Sequence, residues 1–489
     1  MKTLADLALN KAQFLGAEYA DIRVTQTRQQ EVSVRNGFVS SASEIFNAGF
    51  GVRVIVDGAW GFASSALLDV DEVERVTTQA VSIARASALF LRQRVDLGSI
   101  ETHRGSYRTP VKKDPFTVST EDKIALLLAA DRRMREEANV KVTTGSIVIV
   151  GKEQLFASTE GSAIDQEIVQ TGASIQAFAI DDGEIQRRSY PQAFRDQRTE
   201  GWEFIERIDL LRHAPRIASE ASALLSAETC PSGTTTLILG GSQLGLQIHE
   251  SCGHPTELDR VFGTEAAYAG TSFLTVDKLN KFQYGSPVVN LTADATIPGA
   301  LGTFGYDDEG IPAQRVPLVR EGLFVGYLTS RETAVQLARI RGEVPDGMRS
   351  GGMMRASGWN RIPLIRMTNI NLEPGTWTFD DLISDTDDGI YMEDNRSWSI
   401  DNLRLNFQFG TEIAYEIKGG KLGRLLKNAT YTGITPEFWG GCDAVCNADH
   451  WYVWGTPNCG KGQPSQTAQT GHGASPARFR DVRVGMMKA

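Results

Sequence analysis

Two turn dipeptides set the tightest constraint on the early part of this chain. EVSVRNGFVSSA alternates apolar and polar residues around Asn36-Gly37, and GVRVIVDGAWGFASS does the same around Asp57-Gly58. Asn-Gly and Asp-Gly supply the positive φ angles of a type I′ turn, so both stretches predict antiparallel hairpins. Helical spacing surrounds them. Leu4, Leu7, Ala8 and Leu15 predict a helix over residues 3–15, stopped at Gly16. Residues 70–90 predict a second helix, through Val73, Val76, Val81 and Ile83. Ser119 caps a third to about residue 138, with Asp122 placed as in an imperfect capping box. A stretch rich in Arg, Thr and Pro at about 98–116 predicts irregular structure. Further strands follow, and then a helical stretch from about residue 203, broken at Pro215, which opens another helix to about Ala227. Helices alternating with antiparallel hairpins are an α+β pattern.

Cys230-Pro231-Ser232-Gly233 reads as a joint. The expected organisation is an N-terminal α+β domain, residues 1–229, and a C-terminal β-rich domain, residues 230–489. The second opens with the strand TTTLILGG and a short helix capped by Ser242. Beyond about residue 270 it is mainly strand, apart from a helix near 330–340.

The 489 residues suffice for sizeable cores. A formal net charge of −10 argues against direct nucleic-acid binding, which favours a basic face. No run approaches the roughly 20 apolar residues of a membrane helix. Asp6, Asn10 and Lys11 interrupt the N-terminal segment, so a signal peptide is not expected. Five cysteines do not make a disulfide scaffold. A cytoplasmic protein is the expectation.

The chemistry concentrates in HESCGH, residues 249–254. Two histidines with a glutamate beside the first is the grouping a hydrolytic zinc site uses. Neutral imidazoles bind Zn²⁺ without cancelling its charge, and the ion lowers the pKa of bound water to about 7. Glu250 can then take the proton and pass it on. The spacing is unusual. Four residues, as in HExxH, sweep about 400°, but five sweep about 500°, roughly 140° out of line. His249 and His254 can share one ion only if the helix widens into a π-turn or ends between them. Gly253 and Pro255 ease either distortion.

A catalytic zinc needs a third protein ligand and an open position. Candidates are Cys442, Cys446, His450, Cys459 and His472. Cys459 sits in PNCGKGQPSQ, where Pro457 and Gly460 suggest a tight turn presenting a thiolate. His450 lies among Trp451, Tyr452 and Trp454, where packing is the plainer reading. Cys442 and Cys446 read as ordinary thiols, and Cys252 as a core residue. His472, between two glycines, reads as exposed loop, with an approach to the site as the alternative.

These motifs, with the TELDR and GTE segments that follow the histidines, YDDEGIPAQR at 306–315, PLIRMTNINLEPG at 363–375 and CGKGQPSQTAQTGHGASPARFRDVRVG at 459–485, resemble the TldD/PmbA metalloproteases, once labelled modulators of DNA gyrase. The resemblance spans essentially the whole chain. It implies one zinc per chain held by His249, His254 and Cys459, with Glu250 as the catalytic glutamate. Sister PmbA-type subunits lack HExxxH, so this chain resembles the metal-bearing TldD-like type. The implied activity is a zinc metallopeptidase of the HExxxH type acting on short or unfolded peptides. The implied assembly is a homodimer, or a heterodimer with a PmbA-like subunit. The competing readings are a non-catalytic, peptide-binding or chaperone-like partner with a structural metal, and a nucleic-acid-associated regulator.

Other features are plainer. Asp307-Asp308-Glu309-Gly310 reads as a turn or peptide-contact loop, because it lacks the alternating ligands of a calcium loop. Gly240-Gly241 reads as a tight turn. Arg315 and Arg366 read as salt-bridge partners. MRSGGMMRASG at 348–358 reads as a flexible surface loop or a mobile loop near the substrate, and Arg478, Arg480 and Arg483 as a solvated strand face.

Overall fold

The computed structural model describes residues 1–344 and 349–485. Both predicted turns are present: Asn36 and Gly37 have φ of 49° and 81°, and Asp57 and Gly58 have 53° and 78°. They join β1 (Tyr19–Arg35), β2 (Phe38–Val56) and β3 (Ala59–Ser65) into an antiparallel meander. The strands β4 (Arg104–Arg108), β5 (Val140–Ser158), β6 (Ala163–Asp181), β7 (Glu184–Tyr190) and β8 (Asp196–Arg198) complete an eight-stranded sheet. Its order is β3-β2-β1-β5-β6-β4, with β7 and β8 also on β6.

Helices α1 (Lys2–Phe14) and α2 (Val70–Ala88) cover one end of this sheet, and α3 (Thr120–Met134) and α5 (Leu210–Ser226) the other; α4 (Glu203–Ile208) precedes α5. The buried residues of α2 are Val73, Val76, Thr77, Ala80, Val81 and Ala84, one apolar stripe at helical period. A Cβ on Gly61 would lie 2.1 Å from the Ala80 carbonyl, so glycine lets β3 and α2 meet.

Two local expectations are corrected. The helix break falls at Asp209, which has φ 42° and whose side chain accepts the Arg212 N–H; Pro215 lies inside α5. The stretch at 98–116 contains β4, which pairs in parallel with β6. A parallel partner more than 50 residues away leaves no local turn signal.

The second half is richer in strand. Its eight-stranded sheet places strand Gly233–Leu239 between Asp388–Ile400, in parallel, and Ala477–Val484, antiparallel. A four-stranded sheet draws on Leu291–Asp294, Arg315–Arg320, Leu323–Phe324 and Ile370–Leu372. A separate hairpin pairs Tyr452–Lys461 with Gln466–Ala474. The core gathers Leu237, Leu244, Ile248, Phe407, Tyr431, Phe438, Trp439 and Phe479. Into it runs α6 (Gly241–Ile248), buried along its whole length. Its N-cap is Gly240, not Ser242. The fold is α+β. Among the described residues no helix is long and apolar enough to cross a membrane.

Buried ion pairs fasten the halves together. Arg188 reaches Asp394 at 2.9 Å and Glu412 at 3.3 Å, and Arg23 reaches Asp308 at 3.2 Å. The acidic loop at 307–310 is therefore an internal joint. Two segments depart from the surface positions expected of them, and Arg366 from its expected salt bridge. Arg478 is buried against Asp443 and Asp385. Ser350–Met354 is buried, and Met354 pairs with Ile365, because Met353 and Met354 join the core; Met348 lies outside the described residues. Arg366 is buried and donates to the carbonyls of Cys459 and Gln466 rather than to a carboxylate.

Candidate metal centre

Helix α6 widens where the histidines begin. Residues His249–Gly253 form a π-turn, and the His254 N–H donates to the His249 carbonyl, the i→i+5 bond of that geometry. One widened turn thus stacks residues five apart on one face. The two imidazole centroids stand 4.8 Å apart with ring planes at 88°. A short 3₁₀ turn, His254–Thr256, follows.

The surroundings hold the distortion. Widening frees carbonyls that a regular helix would pair. The Ser251 carbonyl accepts from the Tyr284 hydroxyl at 2.8 Å, and those of Cys252 and Gly253 accept from the Thr256 hydroxyl at 2.9 and 2.8 Å. The Trp439 indole N–H donates to the Ser251 hydroxyl at 3.0 Å. A Cβ at Gly253 would lie 2.2 Å from Met367 Sδ, so any side chain there must displace Met367.

The hairpin brings two further groups. Cys459 lies on strand Tyr452–Lys461, next to a register shift between Thr456 and Cys459; it is a strand residue and does not sit in a tight turn. Its Sγ is 3.8 Å from His254 Nε2, across 205 residues of sequence. Donor atoms of His249, His254 and Cys459 all lie within 4.8 Å of one another, and all three residues are buried. The opposite strand brings His472, whose Nε2 is 2.8 Å from His249 Nδ1. His472 is fully buried, which overturns the exposed-loop expectation. Its flanking glycines make room for neighbours: a Cβ at Gly471 would lie 2.2 Å from Asn369 Oδ1, and one at Gly473 2.1 Å from Trp451 Cζ2.

Behind His254 stands a buried charge cluster. His254 Nδ1 is 2.9 Å from Glu257 Oε2. A carboxylate only accepts, so the ring proton lies on Nδ1 and the Nε2 lone pair faces Cys459. Lys461 reaches Glu257 at 3.3 Å and Asp259 at 2.8 Å, and Arg260 pairs with Glu265 at 2.8 Å. On the other side, Arg404 Nη1 donates to Glu250 Oε2 at 2.6 Å.

Electrostatics favour the metal-binding protonation states. Burial pushes the His249 imidazolium below the ordinary histidine value and that of His254 well below it. Burial alone would raise the Cys459 thiol, but Arg366 and His254 outweigh it and hold it below the usual thiol value. Two neutral imidazoles beside a thiol inclined to ionise are the donors a borderline-soft divalent ion selects.

The remaining candidates lie elsewhere. Cys442 and Cys446 are buried core thiols, and Cys252 Sγ lies 2.8 Å from the Tyr284 hydroxyl. His450 is exposed, with Nε2 accepting the Phe379 N–H at 3.2 Å. Arg315 pairs with Glu373 at 2.9 Å. Sequence reasoning assigned no role to Glu257, Lys461 or Arg404. Glu257 carried one signal, its position three residues after His254 on a helical path; Arg404, 154 residues beyond Glu250, carried none.

Residues 232–486 match the family model of the PmbA/TldA metallopeptidase C-terminal domain, residues 20–84 that of domain 1 and residues 113–227 that of the central domain. The chain belongs to the PmbA/TldA metallopeptidase family. It is 30% identical to a metalloprotease of Methanocaldococcus jannaschii over 88% of this chain and 89% of that one. A zinc metalloprotease TldD homolog of Saccharolobus solfataricus is 21% identical over 98% of both. In fold the chain is similar to a Thermotoga maritima protein described as a modulator of a DNA gyrase, with a TM-score of 0.78 and 18% identity, covering 99% of this chain and 100% of that one.

Proposed function

We propose that this chain is a zinc-dependent peptidase acting on short or unfolded peptides, with Glu250 as general base and then general acid. The observation that carries the reading is the convergence of His249, His254 and Cys459 within 4.8 Å, on a π-turn that also bears Glu250. The donors fit the ion. Tetrahedral zinc with bonds of about 2.0–2.3 Å sets its ligand atoms roughly 3.3–3.5 Å apart. The donor atoms, 3.8 Å apart for Cys459 and His254 and within 4.8 Å overall, would draw together around the ion. Three protein donors leave a fourth position for chemistry. The zinc metalloprotease among the relatives supports the choice of metal.

Zinc held by His249, His254 and Cys459 would polarise a peptide carbonyl and acidify a water molecule. The chain's own residues do the rest. Arg404 anchors Glu250 through Oε2, leaving Oε1 free of hydrogen bonds among the described residues. Oε1 is then the atom that takes a proton from water and delivers it to the leaving amine. Glu257 fixes the His254 ring, and His472 can do the same for His249 by accepting its Nδ1 proton. The proposal extends to a cytoplasmic homodimer, or a heterodimer with a PmbA-like subunit, on the strength of the family likeness.

The test is metal content by mass spectrometry, for the native chain and for Cys459→Ser, with digestion of an unfolded peptide in parallel. About one zinc per native chain, lost in the variant together with cleavage, is the expected result. Metal-preserved native protein without zinc, and without cleavage when zinc is added, would overturn the reading.

A further inference from the structure

An inner space between the two halves has no part in the chemistry above. It is a cavity of about 110 Å³, bounded by β5 and β6 on one side and by residues 355–357 and 467–469 on the other. Thr27 and Lys152 line it, and both also line an open groove of about 750 Å³. Lys152 therefore stands on a wall that the groove and the cavity share.

The charges facing this cavity do not balance. Lys152 and Arg355 line it, and the one acid among the lining residues is Asp308. That carboxylate is already engaged: Arg23 reaches it at 3.2 Å, the Gln154 amide donates to it at 2.7 Å and the Ala356 N–H at 2.7 Å. Among the described residues neither Lys152 nor Arg355 has a carboxylate within ion-pair distance. Arg355 gives Nη2 to the carbonyls of Met367 and Gln469, while its buried Nε has no partner. Desolvation holds the Lys152 ammonium below its ordinary pKa against the pull of Asp308, and desolvation with Arg366 brings Arg355 down to about 10, again against Asp308. Both side chains are half-buried at the cavity wall. Asp308 is the nearby negative charge but is bonded elsewhere, so an incoming anion would give the two cations a direct partner. A carboxylate suits both: it accepts from the fork of an arginine and from the point charge of a lysine.

Size and place agree. The cavity of about 110 Å³ has room for a carboxylate and the atoms next to it. Ala468 lines it, and Ala468 is the register partner of Cys459. Opposed residues on antiparallel strands have Cα atoms about 4.5–5.5 Å apart. We propose that this cavity is a carboxylate subsite for the peptide substrate, with Lys152 and Arg355 receiving the anion. That the anion belongs to a peptide rests on the peptidase reading; the subsite itself does not need it.

The test separates the two. N-acetylglycine and N-acetylglycinamide are titrated against native protein, metal-free protein, Glu250→Gln, Lys152→Met and Lys152→Arg, by ligand-observed NMR. The native, metal-free and Glu250→Gln proteins are expected to bind the acid and not the amide. Lys152→Met should lose roughly 10- to 100-fold in affinity for the acid, the range for a hydrogen bond to a charged group, and Lys152→Arg should recover most of it. Equal binding of acid and amide by native protein overturns the subsite whether or not any variant folds. So does unchanged binding in folded Lys152→Met, or binding that vanishes with the metal, which would place the anion on the ion. Loss of cleavage alone bears on the peptidase reading and leaves the subsite standing. N-acetylglutamic acid 1-amide, which carries only a side-chain carboxylate, identifies the source. Stronger binding of N-acetylglycine assigns the peptide C-terminus, and stronger binding of the glutamyl compound assigns an acidic side chain.

Discussion

Arg404 Nη1 and Glu250 Oε2 are 2.6 Å apart, and the arginine that holds the carboxylate stands at a left-handed position, φ 64°. One oxygen of Glu250 is thereby committed and the other left to act. Glu250→Gln is expected to lower kcat by about 10²–10⁴ with zinc content unchanged, the range for a general base. Arg404→Gln should lower kcat less, because the base remains but loses its anchor. Peptide cleavage measured beside metal content checks both. Loss of zinc in Glu250→Gln would move that residue from proton transfer to ligation.

The two histidines are each steadied by a second residue, His254 by Glu257 and His249 by His472. Removing such a partner typically costs 10- to 100-fold in metal affinity. His472→Ala and Glu257→Gln should each show a fall of about that size in competition with a chromogenic chelator. Parent-like zinc affinity in both would mean that packing alone orients the rings.

Gly253 and Gly460 flank the centre in different spaces. A Cβ at Gly253 meets Met367 Sδ at 2.2 Å, whereas one at Gly460 meets nothing within 4 Å. Gly253→Ala should destabilise the fold by about 1–3 kcal/mol through overpacking, and Gly460→Ala should stay within about 0.5 kcal/mol of the parent. Denaturant titration of both variants gives the comparison, and equal midpoints would contradict it.

Arg188 is buried between Asp394, Glu412 and Glu220. Arg188→Met would strand buried carboxylates without their cation. The expected loss is about 3–5 kcal/mol, read as a lower unfolding midpoint. A midpoint like the parent's would show that the acids protonate at little cost.

Asp196 joins the halves by accepting from the Tyr452 hydroxyl at 2.7 Å and the Gly455 N–H at 2.8 Å. Burial nonetheless raises its pKa above the ordinary value, against the pull of Arg198 and these donors. A folded-state pKa above the unfolded one means that the native state keeps a proton the unfolded chain has released. The stabilising contribution is complete below about pH 3.9, the unfolded value, and is lost as pH rises through the folded value. Parent stability should therefore decline relative to Asp196→Asn as pH rises from about 4 through the folded value. A relative gain by the parent over that interval would refute the sign.

Local patterns carried the elements that local forces decide. Asn36-Gly37 and Asp57-Gly58 announced their turns, and Ser119 its helix, because each acts on residues next to it. The five-residue spacing of His249 and His254 even named the widened turn as one of two ways to share an ion. What stayed hidden depends on partners far away in sequence. Strand β4 shows itself only when β6 lies beside it. Gly471 and Gly473 looked like loop punctuation around His472, yet they are clearances for Asn369 and Trp451. Pro215 looked like a helix start, while the break belongs to Asp209. Cys459 was singled out by family likeness, since spacing alone left five candidates.

The C-terminal hairpin places Cys459 on one strand and His472 on the other, facing histidines laid down some 200 residues earlier. A chain that stops short of residue 459 has the π-turn and its glutamate but no thiolate to close the donor set. One interrupted before residue 472 also lacks the group behind His249. If the centre cleaves peptides as proposed, an unfinished copy is inert, and destructive chemistry is armed only after synthesis has passed the last strands.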